Sequence, residues 1–330
     1  MKKQTKENIL SVLFAAALLT LGLTFNSCGS KNSNSQADGE ELEGRISLSG
    51  AFALYPLAVQ WAEDFQKLHP GVKIEIDGGG AGKGMTDALA GQVDFGMVSR
   101  EISDAEAANG AVGFPVAKDA VVPTINEKNP QYAALVKHGI TQQAATDIWI
   151  NGTIKTWGQL LGTSDATAIN VFTRSDACGA AETWAKWLGK SQEDLLGEGV
   201  NGDPGVATAV QKNVNSIGLN NIGYAYDNNT LKPLPGIRVL PIDVNGNGQI
   251  DPDEDFYATK DQLTKAIADG KYPSPPARDL YLVTKGIPTD PVVVAFLKYV
   301  LTEGQKANAG VGYITIPQDK LDAALKKLEK

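Results

Sequence analysis

The chain has 330 residues, 42% of them hydrophobic and 21% charged, with a formal net charge of −8. Lys2, Lys3, Lys6 and Glu7 give the first 27 residues +2, so the chain from Cys28 onward carries −8 − 2 = −10. That acidity, with no basic run, argues against nucleic acid as a partner, and any anion site must be built locally against the average field.

The three lysines precede an apolar run, Ile9 to Leu23. It is short for a membrane span of about 20 apolar residues and fits a secretory signal peptide over 1–27. It ends in Phe25-Asn26-Ser27-Cys28-Gly29, which resembles a bacterial lipobox, with Phe25 in place of the usual leucine. Cys28 is then the lipidation site and the new N-terminus; an ordinary signal peptide with a chance cysteine is the alternative. Residues 28–43 are polar and read as a flexible tether. About 290 residues follow, large for one core, and two lobes are expected. Cys178 is the only cysteine beyond Cys28, so acylation of Cys28 leaves no internal disulfide.

Arg45 to Ser49 alternates like a strand, and Leu57 to Leu68 has helical apolar spacing. Val72 to Ile76 is a strand, followed by Gly78-Gly79-Gly80-Ala81-Gly82-Lys83-Gly84 and a helix near Met85 to Ala90; Val93 to Val98 is another strand. Strand, glycine loop and helix in repetition imply βαβ units and a mostly parallel sheet. A second set begins near Val121. Thr141–Ile150, Thr156–Leu161, Ala180–Leu188, Thr259–Asp269 and Val292–Glu303 read as helices, and Ile169–Phe172, Ile237–Ile242 and Leu280–Val283 as strands. Gly189 to Tyr224 has no clear period.

Two segments carry anion chemistry. Gly78 to Gly84 frees backbone N–H groups to converge at a positive helix end. It lacks the Ser/Thr after Gly-Lys that a nucleotide loop needs, and a tight turn without ligand is the alternative. Thr173-Arg174-Ser175-Asp176-Ala177-Cys178-Gly179-Ala180 lies between a strand and a helix. Arg174 offers a fork of donors suited to a tetrahedral oxyanion, and Asp176 can hold it in place; a surface Arg–Asp pair is the bland reading. Two such helix starts, far apart in sequence, suggest one site shared by two lobes. Enzyme readings are poorer. His69 and His138 lie outside any nucleophile motif, and Cys178 has no histidine in its cluster. The tryptophans fall on helical patterns and read as core.

With Ser49-Gly50-Ala51 and Tyr55-Pro56, the glycine loop, Val93-Asp94-Phe95-Gly96, Arg174-Ser175-Asp176, Tyr272-Pro273, Leu280-Tyr281-Leu282 and Gly312-Tyr313 in this order, the chain resembles the periplasmic phosphate-binding proteins of ABC-type phosphate importers, from about Gly44 to Lys330. The resemblance implies an α/β, two-lobed type II periplasmic binding protein. Lobe I is then 44–122 plus 275–330, and lobe II 123–274. It also implies a non-enzymatic monomer that captures phosphate or a similar small oxyanion for ABC permease subunits, lipid-anchored in the cell envelope on the periplasmic side of a membrane or at the cell surface. Carried over, the ligand residues are Leu54, Tyr55, Ala81, Asp94, Arg174, Cys178, Gly179 and Ala180. A carboxylate at Asp94 would favour an anion that brings a proton, phosphate over sulfate. The family commonly has hydroxyl side chains at Leu54, Ala81, Cys178 and Ala180; their loss leaves backbone N–H groups and donors such as Ser99, Arg100 or Ser175. The competing reading is a surface-anchored interaction or sensory protein on the same scaffold.

A separate motif, Asp243 to Glu254, fits the twelve-position EF-hand calcium loop. Asp243, Asn245, Asn247, Asp251 and Glu254 supply side-chain oxygens and Gln249 a carbonyl. The expectation is a structural Ca2+; an acidic Asx-rich turn is the alternative.

Overall fold

The computed structural model describes residues 42–329. The expected signal peptide, nearly all of the tether and Cys28 lie outside the described residues. The strands are β1 (Gly44–Gly50), β2 (Val72–Gly78), β3 (Phe95–Val98), β4 (Ala111–Asn126), β5 (Asn170–Arg174), β6 (Glu198–Val200), β7 (Ser216–Asn221), β8 (Ile237–Val239) and β9 (Ala277–Lys285). They form one curled sheet in the order β2-β1-β3-β9-β4-β7-β5-β6, with β8 on β4.

Each end of the sheet is parallel, β2-β1-β3 at one and β7-β5-β6 at the other, as the strand–loop–helix repetition requires. The middle is antiparallel: β4 and β9 run past each other from Ala111↔Lys285 to Ala120↔Ala277. These two strands connect two hydrophobic cores. One gathers Ile46, Phe65, Phe95, Phe114, Leu282 and Phe296. The other gathers Val122, Trp149, Trp184, Leu219, Ile242 and Leu263. The chain passes between them at Ala117–Ala120 and Ala277–Leu280, so the connection is two paired strands and no independent linker.

Most of β4 is invisible in the sequence because it carries Pro115 and Pro123, which normally argue against a central strand. Pro115 sits where the β4–β9 register shifts. At Pro123 the strand keeps its acceptor, the carbonyl taking the Leu240 N–H at 2.9 Å. The segment without period, Gly189 to Tyr224, contains β6, the helix Gly202–Lys212 and β7; β7 is buried along its whole length, so it shows no alternation.

Five tryptophans serve the cores, as their helical spacing suggests. Trp184, on the helix Gly179–Trp187, stands edge-on to Trp149 with ring centres 5.2 Å apart and lies 4.8 Å from Trp187. Its indole N–H has no hydrogen-bond partner, so its contribution is packing. Trp184→Ala is expected to cost about 3–5 kcal/mol in urea unfolding. Trp184→Phe is expected to cost far less, because no hydrogen bond is lost; equal losses would contradict that account.

Candidate functional site

The glycine loop is shaped by close backbone approach. Gly80 caps the helix Ala81–Leu89 at φ 89°, a conformation that glycine adopts at little cost. A Cβ on Gly84 would lie 2.5 Å from the Met97 carbonyl oxygen and 2.8 Å from that of Ser49. The helix therefore starts directly on the carboxyl ends of β1 and β3, where ligands of α/β sheets bind. Lys83 is not free for an anion, since it pairs with Asp87 at 2.5 Å and Asp77 at 3.2 Å.

The second segment comes from the other core and meets the first. The Gly82 N–H donates to the Ala177 carbonyl at 3.1 Å, and a Cβ on Gly80 would lie 2.9 Å from Asp176 Oδ2. Gly179, first residue of its helix, packs so closely on Ser99 that a Cβ would meet the Ser99 oxygens at 2.3 Å. Tyr224 donates to the Phe52 carbonyl at 3.3 Å. The two anion-ready helix starts thus face each other where the cores touch.

Arg174 is the buried charge of this contact, 5% exposed. Its Nε donates to Asp176 Oδ1 at 2.8 Å, and its terminal nitrogens to Asp176 Oδ2 and Asp203 Oδ2, both at 2.5 Å. Three of five donors are engaged, so two N–H groups remain. Burial works to lower the guanidinium pKa, but the Asp203 and Asp176 carboxylates outweigh it and the net shift is upward. Burial works to raise Asp176, and Arg174 with the Gly202 N–H holds it below the ordinary carboxylate value. The Phe52 ring lies under the guanidinium, 5.8 Å from ring centre to Cζ.

Asp203 was not legible in the sequence. Fully buried, it accepts from Arg174 and from Asn221 N and Nδ2 at 2.8 and 2.7 Å. Asn221 Oδ1 accepts in turn from Arg278, which also holds Asp119 at 3.1 Å and Thr183 Oγ1 at 3.2 Å. Burial pushes Asp119 up to about 6 despite Arg278. Gln192 was also missed: its amide accepts from Cys178 N at 3.1 Å and donates to the Asp176 carbonyl at 2.7 Å, pinning the Arg174 loop.

The remaining expected residues fall as follows. Ala81 opens its helix and is buried. Cys178 caps the second helix through Sγ, which accepts from Ala181 N at 3.4 Å; Gly179 and Ala180 follow as its buried first turn. Burial pushes the Cys178 thiol up to about 12, so it is protonated at neutral pH and unsuited to thiolate chemistry. Leu54 and Tyr55 flank the start of the helix Tyr55–Leu68, but their N–H groups close a turn onto the Ala51 and Phe52 carbonyls. Asp94 is not brought to the cluster. It precedes β3, and its carboxylate accepts from Ser47 N and Oγ, both at 2.8 Å. Ser99, at the carboxyl end of the strand, is five residues and about 16 Å of extended chain away. Ser99 and Arg100 occupy the end that faces the second core; Arg100 is held by Glu106 at 2.7 Å. Beside them lies a cleft of about 620 Å³ lined from both cores, by Arg100, Lys118 and Tyr281 and by Thr183 and Lys186.

The two-lobed fold agrees with the comparisons. A family model described as a PBP superfamily domain matches residues 32–303. The chain belongs to this binding-protein family. The phosphate-binding protein PstS of Staphylococcus haemolyticus is 25% identical over 327 residues, covering 96% of each chain. PstS of Pseudomonas aeruginosa is 28% identical over 315 residues, covering 87% of this chain and 88% of that one. A candidate phosphate ABC transporter substrate-binding protein from Clostridium perfringens, solved with bound phosphate, superposes with a TM-score of 0.68 at 23% identity, over 83% of this chain and 100% of that one. An ABC-type phosphate transport receptor from Vibrio cholerae gives 0.58 at 22% identity, over 82% and 100%. Within the described residues, then, the fold is that of a two-lobed type II binding protein.

The calcium-like loop stands apart from this cluster. Asp243 and Glu254 are buried. Asp243 accepts from Gly246 N and Gly248 N at 2.7 and 2.8 Å, and Glu254 Oε1 from Val244 N and Asn245 N at 2.9 and 3.1 Å. Asn245 and Asn247 donate to Asp251; Gln249 N donates to Asn247 Oδ1. Among the described residues no three His, Cys, Asp or Glu side chains are grouped to hold a metal.

Replacing Asp203 by alanine leaves a buried guanidinium with one carboxylate partner. A loss of about 3–5 kcal/mol in unfolding free energy is expected; a loss under about 1 kcal/mol would contradict the description of Arg174 as an obligate pair.

Proposed function

We propose that this chain is a solute-binding protein that closes its two lobes on phosphate and delivers it to ABC permease subunits. The observation that carries the reading is the meeting of the glycine-loop helix start with buried Arg174 at the Gly82–Ala177 hydrogen bond. An anion entering there takes over the Gly82 N–H from the Ala177 carbonyl, and is offered the two remaining Arg174 donors and the Ser99 hydroxyl. Near-full-length likeness to phosphate-binding PstS proteins supports the same ligand class.

Arg174 with Asp176 and Asp203 leaves a local charge of −1, so a dianion is not attracted by net charge alone. Selection has to come from N–H groups aimed at it and from the proton it carries. Asp176 Oδ2 faces the glycine loop and can accept that proton from hydrogen phosphate; sulfate has none to give and meets repulsion. Asp176 therefore takes the discriminating role that the sequence resemblance placed at Asp94. β4 and β9, continuous through both cores, are the hinge about which the lobes move.

The Cys28 lipid anchor completes the reading, holding a monomer at the envelope within reach of its permease. Several acyl chains, at about 0.8 kcal/mol per buried methylene, give stable attachment. Mass spectrometry of the mature N-terminus in a bacterial host checks this: a diacylated Cys28 is expected, and a free N-terminus at another residue would contradict it. We also propose that the loop 243–254 binds structural calcium through Asp243, Asn245, Asn247, Gln249, Asp251 and Glu254. The support is the twelve-position pattern and two buried carboxylates held by N–H groups. Calcium at a hundredfold excess over its dissociation constant then stabilises the fold by about 2.7 kcal/mol. Asp243→Ala removes that shift, and identical melting in calcium and in chelator would contradict it.

Isothermal titration with phosphate and sulfate tests the main reading. Phosphate is expected to bind and sulfate not. Arg174→Lys keeps a charge between the two carboxylates but loses the fork, and is expected to weaken phosphate by about tenfold or more. Asp176→Asn is expected to admit sulfate, whereas Asp94→Asn leaves selectivity unchanged. Silence with both anions would favour a surface-anchored interaction or sensory protein on this scaffold.

A further inference from the structure

Lys260 opens the helix Lys260–Ala268 and is fully buried. A cation at a helix's first position opposes the helix dipole, so helix formation does not explain its place. The explanation lies in the other core. Its Nζ donates to Asn228 Oδ1 at 2.6 Å and to the Val311 carbonyl at 2.7 Å, and lies 5.5 Å from the centre of the Tyr313 ring. Val311 ends the helix Gln305–Val311, whose negative end suits an ammonium. Leu263, Ala266 and Ile267 of the lysine's helix belong to the Trp149 core, whereas Tyr313 belongs to the Phe95 core.

The contact reaches the site. The Tyr313 hydroxyl donates to the Ala53 carbonyl at 2.7 Å, in the loop from β1 to the helix Tyr55–Leu68. The next residue, Ile314, is hydrogen-bonded both ways to Lys118 on the hinge strand β4. Gly312, between Val311 and Tyr313, has φ 78°, and a Cβ there would lie 2.2 Å from Lys260 Cε; glycine is what lets the lysine pass beneath the turn.

We infer that Lys260 is a positioning residue for solute capture: bringing the lobes together buries its head group, which then fixes the Val311–Tyr313 turn that supports the Ala53 loop. This rests on the solute-binding reading. The groups facing it are Asp119 from β4, Asp227 from the loop carrying Asn228, Asp261 on its own helix, and Tyr313. Burial pulls Lys260 down to about 8, against the attraction of Asp119, Asp261 and Asp227; burial drives the Tyr313 hydroxyl well above its ordinary value. When the cleft opens, the lysine returns toward 10.5. Between those values the open form holds more protons than the closed one, so closure releases a proton and becomes more favourable as pH rises. Phosphate has shed its second proton below this window, and Asp119, at about 6, is already ionised.

The test is phosphate titration from pH 7.5 to 9.5 on the whole mature chain, with small-angle scattering of the ligand-free protein over the same range. Wild-type affinity is expected to rise above pH 8 by up to about tenfold per unit, and Lys260→Met to show no slope. Measurable binding with a flat wild-type profile, or the same slope in Lys260→Met, overturns the inference. If phosphate does not bind at any pH, the solute-binding reading fails, and scattering decides this one. A radius of gyration that contracts above pH 8 in wild type but not in Lys260→Met supports it, and identical behaviour overturns it. Should Lys260→Met not fold, Tyr313→Phe keeps the lysine and breaks the link to Ala53. It is expected to weaken phosphate about fivefold with the slope retained; unchanged affinity overturns the inference.

Discussion

Keeping one guanidinium charged inside the protein is the constraint on which the rest of this structure depends. Arg174 gives up its water, and two carboxylates, one from its own loop and one from the start of the helix Gly202–Lys212, replace it. Asp203 can play that part only because Asn221, at the end of β7, satisfies both of its oxygens. Asn221 in turn leans on Arg278, and Arg278 on Asp119, across the two strands that join the cores. The site's charge is therefore coupled by direct contacts to the hinge. Such a network is costly when half-satisfied and rigid when complete, which suits a binding surface that must be ready before its ligand arrives.

The second constraint is proximity of backbones. N–H groups can act on a shared anion only if main chains come within contact distance, and side chains forbid that. Gly80 and Gly82 on one side and Gly179 on the other carry no Cβ at positions where one would collide with the opposing segment, and Gly84 none where it would strike the ends of β1 and β3. The same reasoning accounts for Gly312 above Lys260. Ala81 and Ala180 lie in buried first turns, whose N–H groups do not depend on the side chain, whereas the Cys178 N–H is taken by Gln192. Where side chains do matter, Ser99 and Asp176 stand at the contact.

The two helix starts were legible because their signals are local. Five glycines in seven residues after a strand, and an Arg-Ser-Asp before a helix, each state their geometry within a few positions. The facing partners were not legible, since Asp203, Gln192 and Asn221 act across 14 to 57 residues of sequence and all lie in the stretch Gly189 to Tyr224, which shows no clear period. β4 escaped because it carries two prolines, one of them at a register shift against β9. Asp94 shows a different failure: a motif carried it over although strand direction argued otherwise. β3 runs parallel to β1, so the end that meets a ligand is the carboxyl end, and that rule alone points to Ser99. Lys260 left a faint trace, a cation on the wrong end of its helix.

The most direct test of this account is a crystal structure of the mature chain grown with phosphate. The account predicts the anion between Gly82 N–H, Ser99 Oγ and the free donors of Arg174, with the Gly82–Ala177 hydrogen bond replaced and Asp176 within reach of the phosphate proton. Phosphate lodged elsewhere, or a loaded protein in which Gly82 still donates to Ala177, would contradict it.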